Sequence, residues 1–153
     1  MRTKAEFRAL RELTGITQAQ LAKLLGVEVR SVKRWESPNA PQRPPQDAWD
    51  ALDEAAERQW AAVSLALEKL YELEDETGQT PQEVALPYWP GADEYAERST
   101  DAALGIDAGP DGWRMANANA RMLAAILRDW GVPVRWEDGN PARPVNTIRP
   151  HTP

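Results

Sequence analysis

Arg30 and Arg34 stand four residues apart, and in a helix that spacing sets two guanidiniums on one side, one turn from each other. A guanidinium so presented can donate two parallel hydrogen bonds to O6 and N7 of guanine in a major groove. Lys33 adds a cation between them. Such a run can equally be an ordinary solvated helix face, so its meaning depends on the elements around it. Other chemistries lack parts. The chain has no Cys and a single His, His151, near its C-terminus, which leaves no thiol nucleophile, no disulfide framework, no thiolate metal site and no imidazole for a triad. Asp93, Glu94, Glu97 and the run Glu72-Leu73-Glu74-Asp75-Glu76 have no histidine nearby and no glycine-rich phosphate loop, and read as solvated faces. No metal and no cofactor is implied, and an enzyme is not expected.

The elements that would position Arg30 and Arg34 are marked by caps. Thr3-Lys4-Ala5-Glu6 is a capping box, followed at helical spacing by Phe7, Leu10 and Leu13. The spacing predicts a helix to about Thr14, ended by Gly15. Thr17-Gln18-Ala19-Gln20 is a second box, opening a helix with Leu21, Leu24 and Leu25 inward and Gly26 at its end. A third helix is expected from Glu28 to Glu36, with Val32 and Trp35 in the core. Three short helices with tight turns match the geometry that lays one helix in a DNA groove.

The charge distribution agrees with that geometry. The 153 residues carry a net charge of −6, but residues 1–44 hold nine Lys and Arg against four Glu, a balance of +5, and residues 45–153 hold nine against twenty acids, a balance of −11. A basic module for phosphates is joined to an acidic module that stays off the DNA.

Ile16-Thr17-Gln18-Ala19-Gln20-Leu21-Ala22-Lys23-Leu24-Leu25-Gly26-Val27, followed by Val32-Lys33-Arg34-Trp35-Glu36, resembles the central signature of Cro/CI-type (XRE-like) helix-turn-helix regulators. The resemblance implies a phosphate contact at Gln18 and base-reading positions at Val29, Arg30, Lys33 and Arg34. Arg30 and Arg34 would carry specificity, Val29 would touch a thymine methyl, and Ser31 or Lys33 would hold phosphate. It also implies a buried ion pair between Arg11 and Glu36. Glu28 departs from the pattern, since the family often has Ser, Thr or Asp there, and its carboxylate would repel phosphate unless Arg30 or Lys33 turns toward it.

The fold class expected is mainly α: an N-terminal helix-turn-helix bundle in residues 1–44, an acidic helical dimerisation part in residues 45–136, and a disordered Pro-rich tail in residues 137–153. Four prolines between Pro38 and Pro45 make a stiff loop. From Gln46 to about Asp75, Trp49, Leu52, Ala56, Trp60, Val63, Leu67, Leu70 and Leu73 recur at three and four residues and predict a helix up to about 45 Å long, with a break near its middle left open. Glu83 to Trp89 reads as a short edge strand because of Pro87, and Asp93 to Ser99 as a short helix. Asp107 to Gly112 reads as a turn and Trp113 to Trp130 as a helix with a broad apolar face. Val134-Arg135-Trp136 is expected to be a second short strand. Four prolines and few apolar residues after Glu137 predict the disordered tail.

One small module makes few base contacts, and two half-sites about 34 Å apart are the usual remedy. Trp49, Trp60, Trp113 and Trp130 offer apolar material for a symmetric homodimer. Leu86 to Tyr95, Asp111-Gly112-Trp113-Arg114-Met115 and Ala124-Ala125-Ile126-Leu127 resemble the C-terminal half of a small group of regulators that includes an anti-CRISPR-associated repressor. That resemblance implies C-terminal dimerisation and autorepression at an inverted repeat. The reading is therefore a dimeric repressor of double-stranded operator DNA, cytoplasmic and without a membrane segment. Two alternatives remain open: the antitoxin of a toxin-antitoxin pair, with a toxin as protein partner, and an interaction adaptor that keeps the fold without DNA affinity.

Overall fold

The computed structural model describes residues 1–98, 112–138 and 147–149. Its elements are α1 (Lys4–Thr14), α2 (Gln18–Leu25), α3 (Val29–Glu36), α4 (Gln46–Thr77), β1 (Glu83–Tyr88), α5 (Ala92–Arg98), α6 (Gly112–Asp129), β2 (Val134–Asp138) and β3 (Thr147–Arg149). The fold is mainly helical with a small sheet, as the sequence implies. Two compact units, Met1–Gln59 and Trp60–Pro153, divide the chain. Their border falls within α4, an unbroken helix of 32 residues, so the N-terminal unit extends past the expected limit at residue 44.

In the N-terminal unit both capping boxes form. The Thr3 and Thr17 hydroxyls accept from the amides of Glu6 and Gln20, whose side chains accept from the amides of Thr3 and Thr17 in return. Each helix then ends on a left-handed glycine, Gly15 at φ 79° and Gly26 at φ 66°. There the glycine amide donates three residues back and the next amide five back: Ile16 to the Arg11 carbonyl at 3.2 Å, Val27 to the Ala22 carbonyl at 2.9 Å. These bonds satisfy carbonyls a helix end would leave bare. Phe7 is fully buried and meets Trp35 and Trp49 edge-on, with centroids 6.3 and 5.0 Å apart. Leu21, Val32, Ala48 and Leu52 complete the core, each large aliphatic chain contributing about 1.5–3 kcal/mol. Trp49 thus fills this core and is not free for a dimer contact.

Two leucines expected inward are exposed, Leu13 at 53% and Leu24 at 63%. The inward stripe of α2 follows Leu21 and Ala22, with Leu25 partly buried; Leu24 projects to the side of Leu21 away from Ala22. In α1 the stripe is Phe7, Arg11 and Thr14, and Leu13 lies well off it.

The C-terminal unit has a three-stranded sheet of order β2-β1-β3, with β1 parallel to β2 and antiparallel to β3. Val63 and Leu70 of α4, Val84 and Leu86 of β1, Leu123 and Leu127 of α6 and Val132 form its core. Asn117 is buried in α6 and clamps the backbone of Trp89: the Trp89 amide donates to Asn117 Oδ1 at 2.7 Å, and Asn117 Nδ2 donates to the Trp89 carbonyl at 2.9 Å. The indole of Trp89 packs edge-on against Tyr95.

Two strand expectations are corrected. β1 is central, not an edge. It tolerates Pro87 because the described residues of β3 pair with Glu83, Val84 and Ala85, so among the described residues the ladder at Pro87 has a partner on the β2 side alone. The segment expected as a disordered tail contributes Glu137 and Asp138 to β2 and Thr147–Arg149 as β3, because main-chain pairing with β1 makes no demand on apolar content. The remainder of residues 137–153 lies outside the described residues, as do Ser99 and most of the expected turn, residues 107–111. Trp60, Trp130 and Trp136 are exposed, at 58%, 44% and 47%.

Candidate nucleic-acid interface

α3 projects its charged side outward because Val32 and Trp35 are buried on the other. Arg30, Lys33 and Arg34 are all exposed, and Val29 and Ser31 are half-buried beside them. Among the described residues no hydrogen bond or ion pair holds the side chains of Arg30, Lys33 or Arg34. The same is true of Lys23 at the end of α2. The proposed readers therefore share one solvent-facing helix surface with their charges uncommitted.

The cations before Lys23 are bound within the fold. Arg2 makes a two-pronged contact with Asp53, at 2.7 and 2.6 Å, and lies 4.1 Å over the ring of Trp49. Its hydrogen bonds hold the Asp53 carboxyl below the ordinary aspartate value, against a smaller burial effect, and its own pKa is raised in return. Lys4 Nζ donates to the carbonyls of Arg34, Ser37 and Ala40 at 3.0, 2.8 and 2.6 Å. It satisfies the C-terminal end of α3 and pins the start of the Pro-rich loop. Arg8 pairs with Glu12 at 2.8 Å on the surface, and the hydrogen bond lowers the Glu12 pKa.

Arg11 and Glu36 form the buried pair that the resemblance implied. Arg11 Nε and Nη2 both donate to the Glu36 carboxylate, the second at 3.0 Å, and Nη1 donates to the Ile16 carbonyl at 2.9 Å. The side chains are 9% and 5% exposed. Gln18 Nε2 also donates to Glu36, at 2.8 Å. The pair fixes the C-terminal end of α3 to α1 and to the start of α2, so it sets the angle at which Arg30 and Arg34 are presented.

Gln18 is thus tied into the fold, a partnership the sequence reading did not contain. It lies in an open cleft of about 600 Å³ lined by Arg8, Arg11, Thr17, Gln18, Lys33 and Glu36 among others. Lys33 stands at this cleft and on the outer face of α3 at once. Glu28 caps α3 by position only: its side chain makes no cap hydrogen bond, it is exposed, and neither Arg30 nor Lys33 turns to pair with it.

The described residues contain no cluster of carboxylates or histidine suited to a metal ion, and no described helix is long and apolar enough to cross a membrane. No curated protein matches the chain. Residues 5–64, which span α1 to α3 and the first half of α4, match the family described as a helix-turn-helix domain, and this supports a DNA-binding domain of the Cro/CI kind in the N-terminal unit.

Proposed function

We propose that the protein is a sequence-specific transcription regulator, a dimeric repressor acting at an inverted-repeat operator, with autoregulation the natural arrangement. The observation that carries this reading is the contrast in charge use: Arg30, Lys33 and Arg34 on the outer face of α3 are exposed and unpaired among the described residues, whereas the cations at the N-terminus and on α1 are tied to acids or carbonyls. Uncommitted guanidiniums on an exposed helix can exchange water for guanine edges without breaking an internal pair. Arg30 and Arg34 then read bases, Val29 packs on a thymine methyl, and Ser31 or Lys33 holds phosphate. Gln18, anchored by Glu36, brings the start of α2 to the backbone, where helix amides favour an anion.

The test is selection of bound sequences from a random duplex pool at physiological salt, with the solution mass measured on the same sample. The expected result is an inverted repeat with half-sites one helical turn apart. An affinity that falls steeply with salt is the accompanying signature. Recovery of no motif overturns the reading in favour of an adaptor, or of an antitoxin whose toxin copurifies with it.

A further inference from the structure

β2 forms one edge of the sheet among the described residues, and its sequence, Val134-Arg135-Trp136-Glu137-Asp138, is complementary to itself when reversed. The register with β1 pairs Val84 with Val134, and the Val84 amide donates to the Pro133 carbonyl at 2.9 Å. By strand alternation the amides of Arg135 and Glu137 then face β1, and those of Val134, Trp136 and Asp138 face outward, a row of donors and acceptors that no described strand covers. Trp136 is 47% exposed and lies edge-on to Tyr88, itself 39% exposed, at 5.5 Å. The edge thus joins open backbone to an exposed aromatic pair.

We propose that a second copy of this chain covers this edge, with two β2 strands pairing antiparallel about a two-fold axis at Trp136. This deepens the dimeric part of the proposed function by naming its surface. Only outward-facing residues can exchange hydrogen bonds, so Trp136 pairs with Trp136, and Val134 with Asp138. Arg135 then falls opposite Glu137 in the closer, non-hydrogen-bonded pairs, where Cα atoms are about 4.5 Å apart. Glu137 already contacts Arg135 of its own chain at 2.6 Å, and pairing places it between two guanidiniums. Shifting the axis to residue 135 sets Arg opposite Arg, and shifting it to 137 sets Glu opposite Glu, both unfavourable. Charge therefore selects one register. The two Trp136 rings meet on one face and extend each Tyr88–Trp136 pair into a continuous aromatic strip.

The test is charge reversal in the full chain, read as solution mass. Arg135→Glu alone and Glu137→Arg alone each place like charges opposite twice, and each should weaken the dimer by roughly tenfold or more. An equal mixture of the two variants restores both opposite-charge pairs and should recover the parental dimer. A parental dimer whose mixed variants stay monomeric overturns this surface while leaving dimerisation by another face. A monomeric parent overturns both, and a heteromer with another protein's strand on the edge overturns the second copy as occupant. DNA binding by α3 is read separately, by the duplex selection, so loss of this surface and loss of DNA binding remain distinguishable.

If either reversed chain loses its helical circular dichroism, a cysteine decides instead. The chain has no Cys, and Trp136→Cys puts two thiols across the axis at a Cα separation of about 5.5 Å, within disulfide reach. Trp136→Cys should cross-link under mild oxidation and Asp138→Cys, which faces Val134, should not. Equal cross-linking of both, or of neither, overturns the register.

Discussion

α1 and α3 are short helices of the same unit with three cations each, Lys4, Arg8 and Arg11 on one and Arg30, Lys33 and Arg34 on the other. Every cation of α1 has a partner inside the protein, and among the described residues those of α3 have none. The difference teaches that a basic balance of +5 over residues 1–44 overstates what is available to a polyanion. The charges of α1 hold the bundle in shape, and those of α3 are left to bind. Mutations should therefore divide cleanly: α1 substitutions change stability, and α3 substitutions change DNA affinity at constant stability.

The largest effect is expected at Arg11. Arg11→Ala leaves the Glu36 carboxylate buried without its cation, a loss of about 3–5 kcal/mol, read as a fall in the denaturant midpoint. Arg11→Met with Glu36→Leu removes both charges and should recover most of that loss, since a buried pair gains little over apolar chains of similar size. A double variant as unstable as the single would show that Gln18 and the Ile16 carbonyl, not the buried charge, dominate the site.

Arg34→Ala should leave the midpoint unchanged, because its side chain has no partner among the described residues. It should weaken the selected operator by about 1–3 kcal/mol and relax one base position. Lys33→Ala should instead weaken all sequences alike and reduce the salt slope by about one. If Arg34→Ala destabilises the fold and leaves binding intact, the division between the two helices fails.

Lys4→Met removes three hydrogen bonds to carbonyls at the end of α3 and in the loop beyond it. A cost on the order of 1–3 kcal/mol in stability follows. Protease nicking near Pro38 to Pro41 should accelerate before global unfolding, because Lys4 bonds to the carbonyls of Ser37, just before that stretch, and Ala40, within it.

Much of this arrangement is legible where the governing contacts are local. A threonine three residues before Glu6 or Gln20 and a glycine at the helix end specify caps by spacing alone, and the structure forms both boxes and both glycine turns. The outward placement of Arg30 and Arg34 follows from Val32 and Trp35 being apolar. The Lys4 contacts join residues thirty or more apart and carry no periodic signal, so Lys4 reads in the sequence as one more surface cation. Leu24 shows the limit of spacing: Leu21, Leu24 and Leu25 fit an inward helical face equally well until Ala22 is known to be buried too. β3 was hidden by composition, since Thr147–Arg149 sits in a proline-rich segment and joins the sheet through its backbone.

The smallest effect sharpens the comparison at the edge of α1. Asp53 is held below its ordinary pKa by the hydrogen bonds Arg2 donates, so the folded state binds that proton less readily than the unfolded chain. The pair's stabilisation is fully present above the unfolded aspartate value, about 3.9, and is lost as pH falls through the lower folded value. With both side chains nearly half exposed, solvent screening keeps the contribution below about 1 kcal/mol. Asp53→Asn should therefore melt slightly below the parent at neutral pH, and the gap should close as the pH falls below both the unfolded and the lower folded value. A gap that persists in acid would assign the effect to Arg2 stacking on Trp49, which loses its orientation when Asp53 is replaced, and not to the charge of the pair.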